Sequence, residues 1–441
     1  MPTIDPAQRR QAESLLRFID SSPSPWHAAT TMAEWLEEEG FHNLDERGHW
    51  NLAPRGRYYV LRDDSSIIAF ILGTDSVDRA GLRIVGAHTD SPGLRLKPRP
   101  AEAADPMLRL GVEIYGSPIL ATWSDRDLSL AGRVALRHQP PTVCLIDFET
   151  PLLRLPNLAI HMNRKVNEEG LKFDRQSELP LLLAVLEREI PPETRFIELL
   201  AERLDCDPET IGGWELNVYD TQRGAFWGPD QEFIASARLD NLASCHAALA
   251  AMLLEDETAA TRVCALFDHE EVGSESFKGA GGAFLEDTLN RLFATLGIDE
   301  VARHQALAAS FLISADMAHA YQPNFPKGYD PGHKAVVNRG PVIKTNANLR
   351  YTTESFSQAL FCDWCEQADV PWQHYVHRSD LPCGSTIGPM TSARLGIRSI
   401  DVGNPLWAMH SIRESAGVID HSHMIRVLER FFASPRIPVN G

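Results

Sequence analysis

"TRVCALFDHEEVGSES", residues 261–276, runs from an apolar strand into a knot of charge. The run Val263 to Phe267 stops abruptly, and Asp268, His269, Glu270 and Glu271 follow before Val272-Gly273-Ser274. A short apolar run bounded by polar and glycine residues reads as a buried strand. Four ionisable groups at its mouth are costly to desolvate unless something pairs with them or uses them. Adjacent side chains on a strand point opposite ways. The two glutamates can therefore serve one site only where the strand has ended.

The same construction recurs along the chain. "GLRIVGAHTD" ends in His88 and Asp90, and "SFLISADMAHA" ends in Asp316 and His319. "RSIDVGNPLWAMHS" is a strand followed by His410, and "IASARLDN" places Asp240 at the start of an apolar helix. Helical periodicity lies between these strands in "LDNLASCHAALAAMLLED", "AFLEDTLNRLFATLG", residues 354–368 and residues 416–433. The N-terminal stretch predicts two helices broken at "SSPSP", then a hairpin from "GRYYVLRDD" and "SSIIAFILG". Strands alternating with helices predict an α/β fold, a largely parallel or mixed sheet with helices on both faces. Ligands in such sheets bind at the carboxyl ends of the strands.

From about residue 95 to 233 the texture changes. Prolines and short β-like runs dominate, among them "LRLGVEIYG", "LSLAGRVALR", "PNLAIHMNR" and "WELNVYD". One stretch, "SELPLLLAVLERE", predicts a helix. This reads as a separate β-rich domain, 95–233, inserted into a body made of 1–94 and 234–441, and 441 residues suit two domains.

Each charged tip has an ordinary explanation. Asp240 before an apolar helix is a natural N-cap, and His88 could be a hydrogen-bonded core histidine. Several tips at equivalent strand ends are harder to explain singly. Converging carboxylates repel, and a divalent cation removes the repulsion. His, Asp and Glu without cysteine suit zinc, cobalt or manganese. Two histidines and three carboxylates exceed what one catalytic zinc takes from a protein. They suit two metals sharing a carboxylate, an arrangement used for hydrolysis. One glutamate of the pair could then ligate while its neighbour moves a proton.

Composition is consistent with a soluble enzyme. Lys+Arg of 42 against Asp+Glu of 60 gives a net charge of −18, which argues against nucleic-acid and anionic-membrane partners. Seven cysteines without regular close spacing are not a disulfide framework, and Cys362 and Cys365 fall in an amphipathic helix where they read as packing residues. The N-terminus lacks an apolar signal core and no window is apolar enough to span a membrane, so a cytoplasmic location is expected.

Taken together, "VGAHTDSPGLRLKP", "SARLDNLASCHAAL", "DHEEVGSES", "SADMAHA", "GPVIKTNANLRY", "LPCGSTIGPMTSARLGI" and "AMHSIRE" resemble the aspartyl aminopeptidase family of two-metal peptidases, from about residue 10 to 433. The resemblance implies a zinc-peptidase domain interrupted by a dimerisation domain, and a tetrahedral dodecamer built from dimers. It implies that His88 and Asp316 hold one metal, Glu271 and His410 the other, with Asp240 between them. Glu270 would be the general base, and Asp90 would orient the His88 imidazole. His161, in "PNLAIHMNR", would enter a neighbouring subunit's site. His319 and Lys344 would meet substrate, with Lys344 favouring an acidic N-terminal residue of a short peptide. The alternatives are an aminopeptidase of broader or neutral preference, a deacylase or carboxypeptidase on the same metal plan, and a non-enzymatic assembly protein keeping the fold. The chain departs from the family at Gln322-Pro323-Asn324, where His-Pro-Asn is usual, and "FPKGYDPGHKAVVNRG" is individual.

Overall fold

Four of the predicted strands lie side by side and parallel at the centre of a nine-stranded sheet, in the order Thr261–Phe267, Leu82–His88, Phe311–Ala315, Arg398–Gly403. In this computed structural model, residues 4–186, 190–254 and 257–438 are described. The register levels the strand tips. Phe267 stands opposite His88, and Ser314 stands opposite Gly86. The hairpin Arg57–Arg62 and Ser66–Ile71 joins one side antiparallel, and Val342–Thr345 joins the other.

Both faces of the central strands are covered, which is why these strands read as continuous apolar runs rather than alternating ones. Val85 and Ala87 pack with Leu15, Met32, Leu249, Phe361 and Leu428. Leu82 and Ile84 point the other way, to Phe284, Leu289, Leu292 and Ile387. The first face carries the helices Pro6–Asp20, Pro25–Glu38, Leu239–Leu254, Ser355–Gln367 and Val418–Ala433. The second carries Phe284–Thr295, Glu300–Ala308 and Ile387–Leu395. The "SSPSP" break works as capping chemistry. Ser24 accepts the His27 amide and Pro25 opens the second helix.

A second sheet of six strands is antiparallel throughout. It is drawn from Gly93–Ala104, Met107–Tyr115, Leu128–Leu136, Thr142–Asp147, Leu181–Val185 and Ile211–Asp220. Leu110, Leu130 and Val134 form its own core with Phe196 and Leu200 of the helix Pro192–Leu204.

Two expectations in this region are corrected. "SELPLLLAVLERE" does not form a helix: Leu181–Val185 is an edge strand paired with Met107–Leu110, and residues 187–189 lie outside the described residues. An unbroken apolar run carries no periodicity to separate helix from strand. "PNLAIHMNR" is not a strand. It is an exposed loop and turn, with Met162 74% exposed.

A third sheet was not anticipated. Its five strands, Ala225–Trp227, Phe233–Ser236, Glu414–Gly417, Pro405–Trp407 and Ala318–His319, are two to four residues long. Segments that short leave almost no pattern in sequence. His410 accordingly follows Pro405–Trp407 of this sheet rather than the central strand Arg398–Gly403 directly.

Candidate metal centre

The charged tips meet at the carboxyl ends of the central strands. His88 is the last residue of its strand, and Asp316 follows Ala315 immediately. Glu270–Val272 form a single 3-10 turn just past Phe267, flanked by His269 at φ +68 and Gly273 at φ +99. The strand has therefore ended where the two glutamates lie. Asp240 sits in the first turn of its helix with non-helical dihedrals at Asp240 and Asn241, and the peptide bond between them is cis.

The two oxygens of Asp240 face different partners. Oδ1 lies 3.7 Å from His88 Nε2, which is itself 3.6 Å from Asp316 Oδ1. Oδ2 lies 3.6 Å from His410 Nε2, which is 3.5 Å from Glu271 Oε2. Donors around a tetrahedral zinc at about 2.0–2.2 Å stand roughly 3.3–3.6 Å from one another. The separations of 3.5–3.7 Å lie close to that spacing, and the ligand atoms of each triad all fall within 4.8 Å of one another. Asp240 Oδ1 is also buried without a hydrogen-bond partner among the described residues, as a ligand atom would be. Glu270 Oε2 stands 4.0 Å from His88 Nε2, and Glu270, His88 and Glu271 make a third group of possible donors, looser than the two triads.

Electrostatics favour a cation here. Burial, then the charge of Asp316, pushes the Asp240 carboxyl well above the ordinary range. Burial, then Asp240, does the same to Glu271. Glu270 is pushed up to about 7, by burial first. Asp316 goes the other way. Burial would raise it, but Lys344 and His88 together outweigh that and lower it. The protein's own cations thus compensate one carboxylate, while Asp240 and Glu271 stay uncompensated in the absence of a further positive charge.

A layer of buried groups positions the side chains of this cluster. Asp90 Oδ1 and Oδ2 accept the backbone amides of Glu270 and Glu271, each at 3.1 Å. The Asp90 carbonyl lies 3.0 Å from His88 Nδ1, which leaves Nε2 facing the cluster. Two residues given no role from sequence belong to this layer. Glu414 accepts the amide of Asp240 at 3.0 Å and that of His410 at 2.8 Å, and Tyr115 donates to Asp90 Oδ2 at 2.6 Å. Glu414 lies inside the "AMHSIRE" block, four residues after His410, so its signal was present. Tyr115 ends a strand of the other sheet and gave none.

The remaining candidates divide. His319 and Lys344 line the cavity above His88, Glu270 and Asp316, with Tyr351 and Tyr375. Burial, then Lys344, pushes His319 down to about 4, so its ring is neutral at physiological pH. The Lys344 ammonium is already engaged, donating to Asp316 Oδ2 at 3.2 Å and to the Met317 carbonyl at 2.9 Å. His161 is not brought to the cluster. It sits in the exposed turn at residues 160–162. Asp268 pairs with Lys278 at 3.0 Å and His269 Nδ1 meets Ser276 Oγ at 2.9 Å, which accounts for both as structural groups.

The chain matches the profile of the aminopeptidase I zinc metalloprotease family (M18) over residues 18–432. It is 48% identical over 432 residues to a probable M18 family aminopeptidase 2 of Ectopseudomonas mendocina, covering 97% of this chain and 99% of that one. The Pseudomonas fluorescens counterpart is 47% identical over 429 residues, with 97% and 99% covered. Among solved structures, one of an Ape4 and Nbr1 complex aligns with a TM-score of 0.93 at 37% identity, covering 98% of this chain and 88% of that one. A structure of an S. cerevisiae mApe1 dodecamer aligns at 0.82 and 25% identity, covering 97% of each chain. This chain therefore belongs to the M18 family of zinc aminopeptidases and is a metallo-peptidase hydrolase.

Proposed function

We propose that this aminopeptidase works with two divalent ions, zinc foremost, and removes acidic N-terminal residues from short peptides. His88 and Asp316 would hold one ion, Glu271 and His410 the other, with Asp240 shared. The division of the two Asp240 oxygens between two triads is the observation that carries this reading. Bound ions would supply Lewis acidity toward the scissile carbonyl and make water acidic enough to lose a proton at neutral pH. Glu270 Oε2 would take that proton and return it to the leaving amine. Burial raises this carboxyl, which helps it hold a proton before passing it on. The free α-amino group of the substrate would be drawn to this acidic cluster, which would restrict cleavage to the N-terminus.

An acidic substrate side chain would share the Lys344 ammonium with Asp316, and His319 would offer a neutral ring. The same geometry favours a second reading. Lys344 already has two acceptors, so its pull on a substrate carboxylate is reduced and preference could be broad.

The test is hydrolysis of Asp-, Glu- and Ala-leading peptides, free and N-acetylated, by the parent and by Lys344→Ala. Acetylation should abolish cleavage. If the Asp/Ala ratio of kcat/KM is the same in both proteins, Lys344 is removed from specificity.

We also propose the division into a catalytic body (1–94 and 234–441) and an inserted dimerisation domain (95–233). The separate core of the six-stranded sheet supports it. The structural relative that forms a dodecamer supports a homododecamer here. The exposed apolar Leu158, Ile160 and Met162 around His161 suit burial against another subunit. His161→Ala should leave assembly intact and lower activity, and unchanged activity would remove His161 from the neighbour's site. A cytoplasmic setting fits the free cysteines.

A further inference from the structure

One short segment of the inserted sheet touches the metal centre at three points. The strand Met107–Tyr115 ends in Tyr115, and Gly116, Ser117, Pro118 and Ile119 follow. The first contact is the Tyr115 hydroxyl, which donates to Asp90 Oδ2 at 2.6 Å. The second is at Gly116, whose φ is +65. A Cβ there would stand 3.2 Å from Glu271 Cβ and 3.4 Å from the Glu271 carbonyl, so the backbone passes in contact with that ligand. The third is at His410. Its Nδ1 lies 3.0 Å from the Ser117 carbonyl, and its own carbonyl accepts the Ile119 amide at 2.9 Å.

Tyr115 is held as firmly as it holds. It is 8% exposed, and the Arg95 guanidinium covers its ring at 3.6 Å from the centroid. Arg95 also faces the Trp26 ring at 5.9 Å, tying the segment to the second helix of the catalytic body.

We infer that residues 115–117 form a positioning element of the metal centre, with the Tyr115 hydroxyl as its principal group. The inference rests on the ligand reading given above. Asp90 is fully buried, and its two oxygens serve the amides of Glu270 and Glu271 at once. Removing the phenol leaves a buried carboxylate short of a donor. Asp90 then has cause to turn toward His88 Nδ1, 3.4 Å from its Oδ1, and to carry the two glutamates with it. The Ser117 carbonyl acts on the other triad. By accepting from His410 Nδ1 it selects the tautomer whose Nε2 is free to ligate. The inserted domain is thus part of the metal site as well as a means of assembly.

The test is Tyr115→Phe in the full-length protein in its native assembly, which keeps the ring and removes only the hydroxyl. Zinc affinity is measured by competition with a chelator, and the visible spectrum is followed during Co²⁺ titration of the metal-free protein. Loss of a group that orients ligands typically costs about 10–100-fold in metal affinity or activity. The expected result is a loss of about tenfold or more in affinity for the weaker-bound ion, an altered Co²⁺ spectrum, and kcat lower by a similar factor with KM within about twofold. Affinity, spectrum and kcat all matching the parent would overturn the inference. If Tyr115→Phe does not fold, Gly116→Ala reads the same segment through its contact with Glu271, and parental metal affinity in that variant overturns the inference equally. His410→Ala separates this proposal from the one beneath it. Retention of both metal equivalents there would sink the ligand assignment. Loss of one equivalent there, beside a parental Tyr115→Phe, would sink the positioning role alone.

Discussion

Histidines cluster at the strand tips and between two helices of this fold, and their neighbours differ. At the strand tips, His88 faces Asp90, Asp240 and Asp316, and His410 faces Asp240 and Glu271. Between the helices, His421 Nε2 meets His246 Nδ1 at 2.9 Å, and His246 Nε2 meets the Ser14 hydroxyl at 3.1 Å. The rings of Phe18 and Trp35 pack on His246 at 5.7 and 5.3 Å. Aromatic and hydroxyl neighbours leave burial unopposed, so His421 is pushed down to about 3 and His246 is lowered as well. Burial would lower His88 too, but hydrogen bonds to Asp316 and Asp90 outweigh it and hold this ring well above its ordinary range. Depth of burial therefore does not decide what an imidazole does. At His88 the surrounding carboxylates decide it, whereas His410, more open to solvent and also facing two carboxylates, is still lowered by burial.

That contrast can be broken most sharply at Glu270. Glu270→Gln keeps the size and burial of the side chain and removes its basicity. Activity should fall by about 10²–10⁴-fold while both metal equivalents stay bound. Near-parental turnover would show that the carboxylates at the strand tips do no proton transfer.

Metal removal comes next. A site loaded at about 100 times its Kd adds roughly 2.7 kcal/mol to stability. Chelated protein should therefore melt several degrees lower and recover when zinc is restored. A melting curve indifferent to chelation would place the strand-tip cluster in the same structural class as His246 and His421.

At neutral pH the smallest effect belongs to the helix pair, because it shows only in acid. The folded-state pKa of His421 lies near 3, below the ordinary 6.5, so the unfolded chain binds more protons between those values. Stability is then complete above about pH 6.5 and falls as pH drops toward 3, by about 1.4 kcal/mol per pH unit for one histidine. His421→Gln should flatten the acid side of the melting-temperature profile and leave metal content and activity at pH 7.5 unchanged. Superimposed profiles would mean the pair contributes nothing to acid sensitivity.

The central strands were legible because each is an apolar run with an abrupt polar end, and a two-faced sheet produces that pattern. Their convergence followed from the topology such alternation implies. Leu181–Val185 was misread because "PLLLAVL" fits a helix as well as an edge strand, and pairing with Met107–Leu110 settles it from seventy residues away in the chain. The loop around His161 was misread because its apolar residues suggested a strand, whereas in the fold they are exposed. Tyr115 and the third sheet were invisible for a common reason. Their contacts join segments distant in sequence, and neither has a local period or cap to announce it.

Glu414 has one more consequence. A single carboxylate receives the amides of both Asp240 and His410, one on each oxygen. Asp240 and His410 come from chain segments 170 residues apart, yet their separation is gauged by the span of one side chain. Replacing Glu414 would therefore loosen both at once, where loss of either backbone contact alone would loosen one.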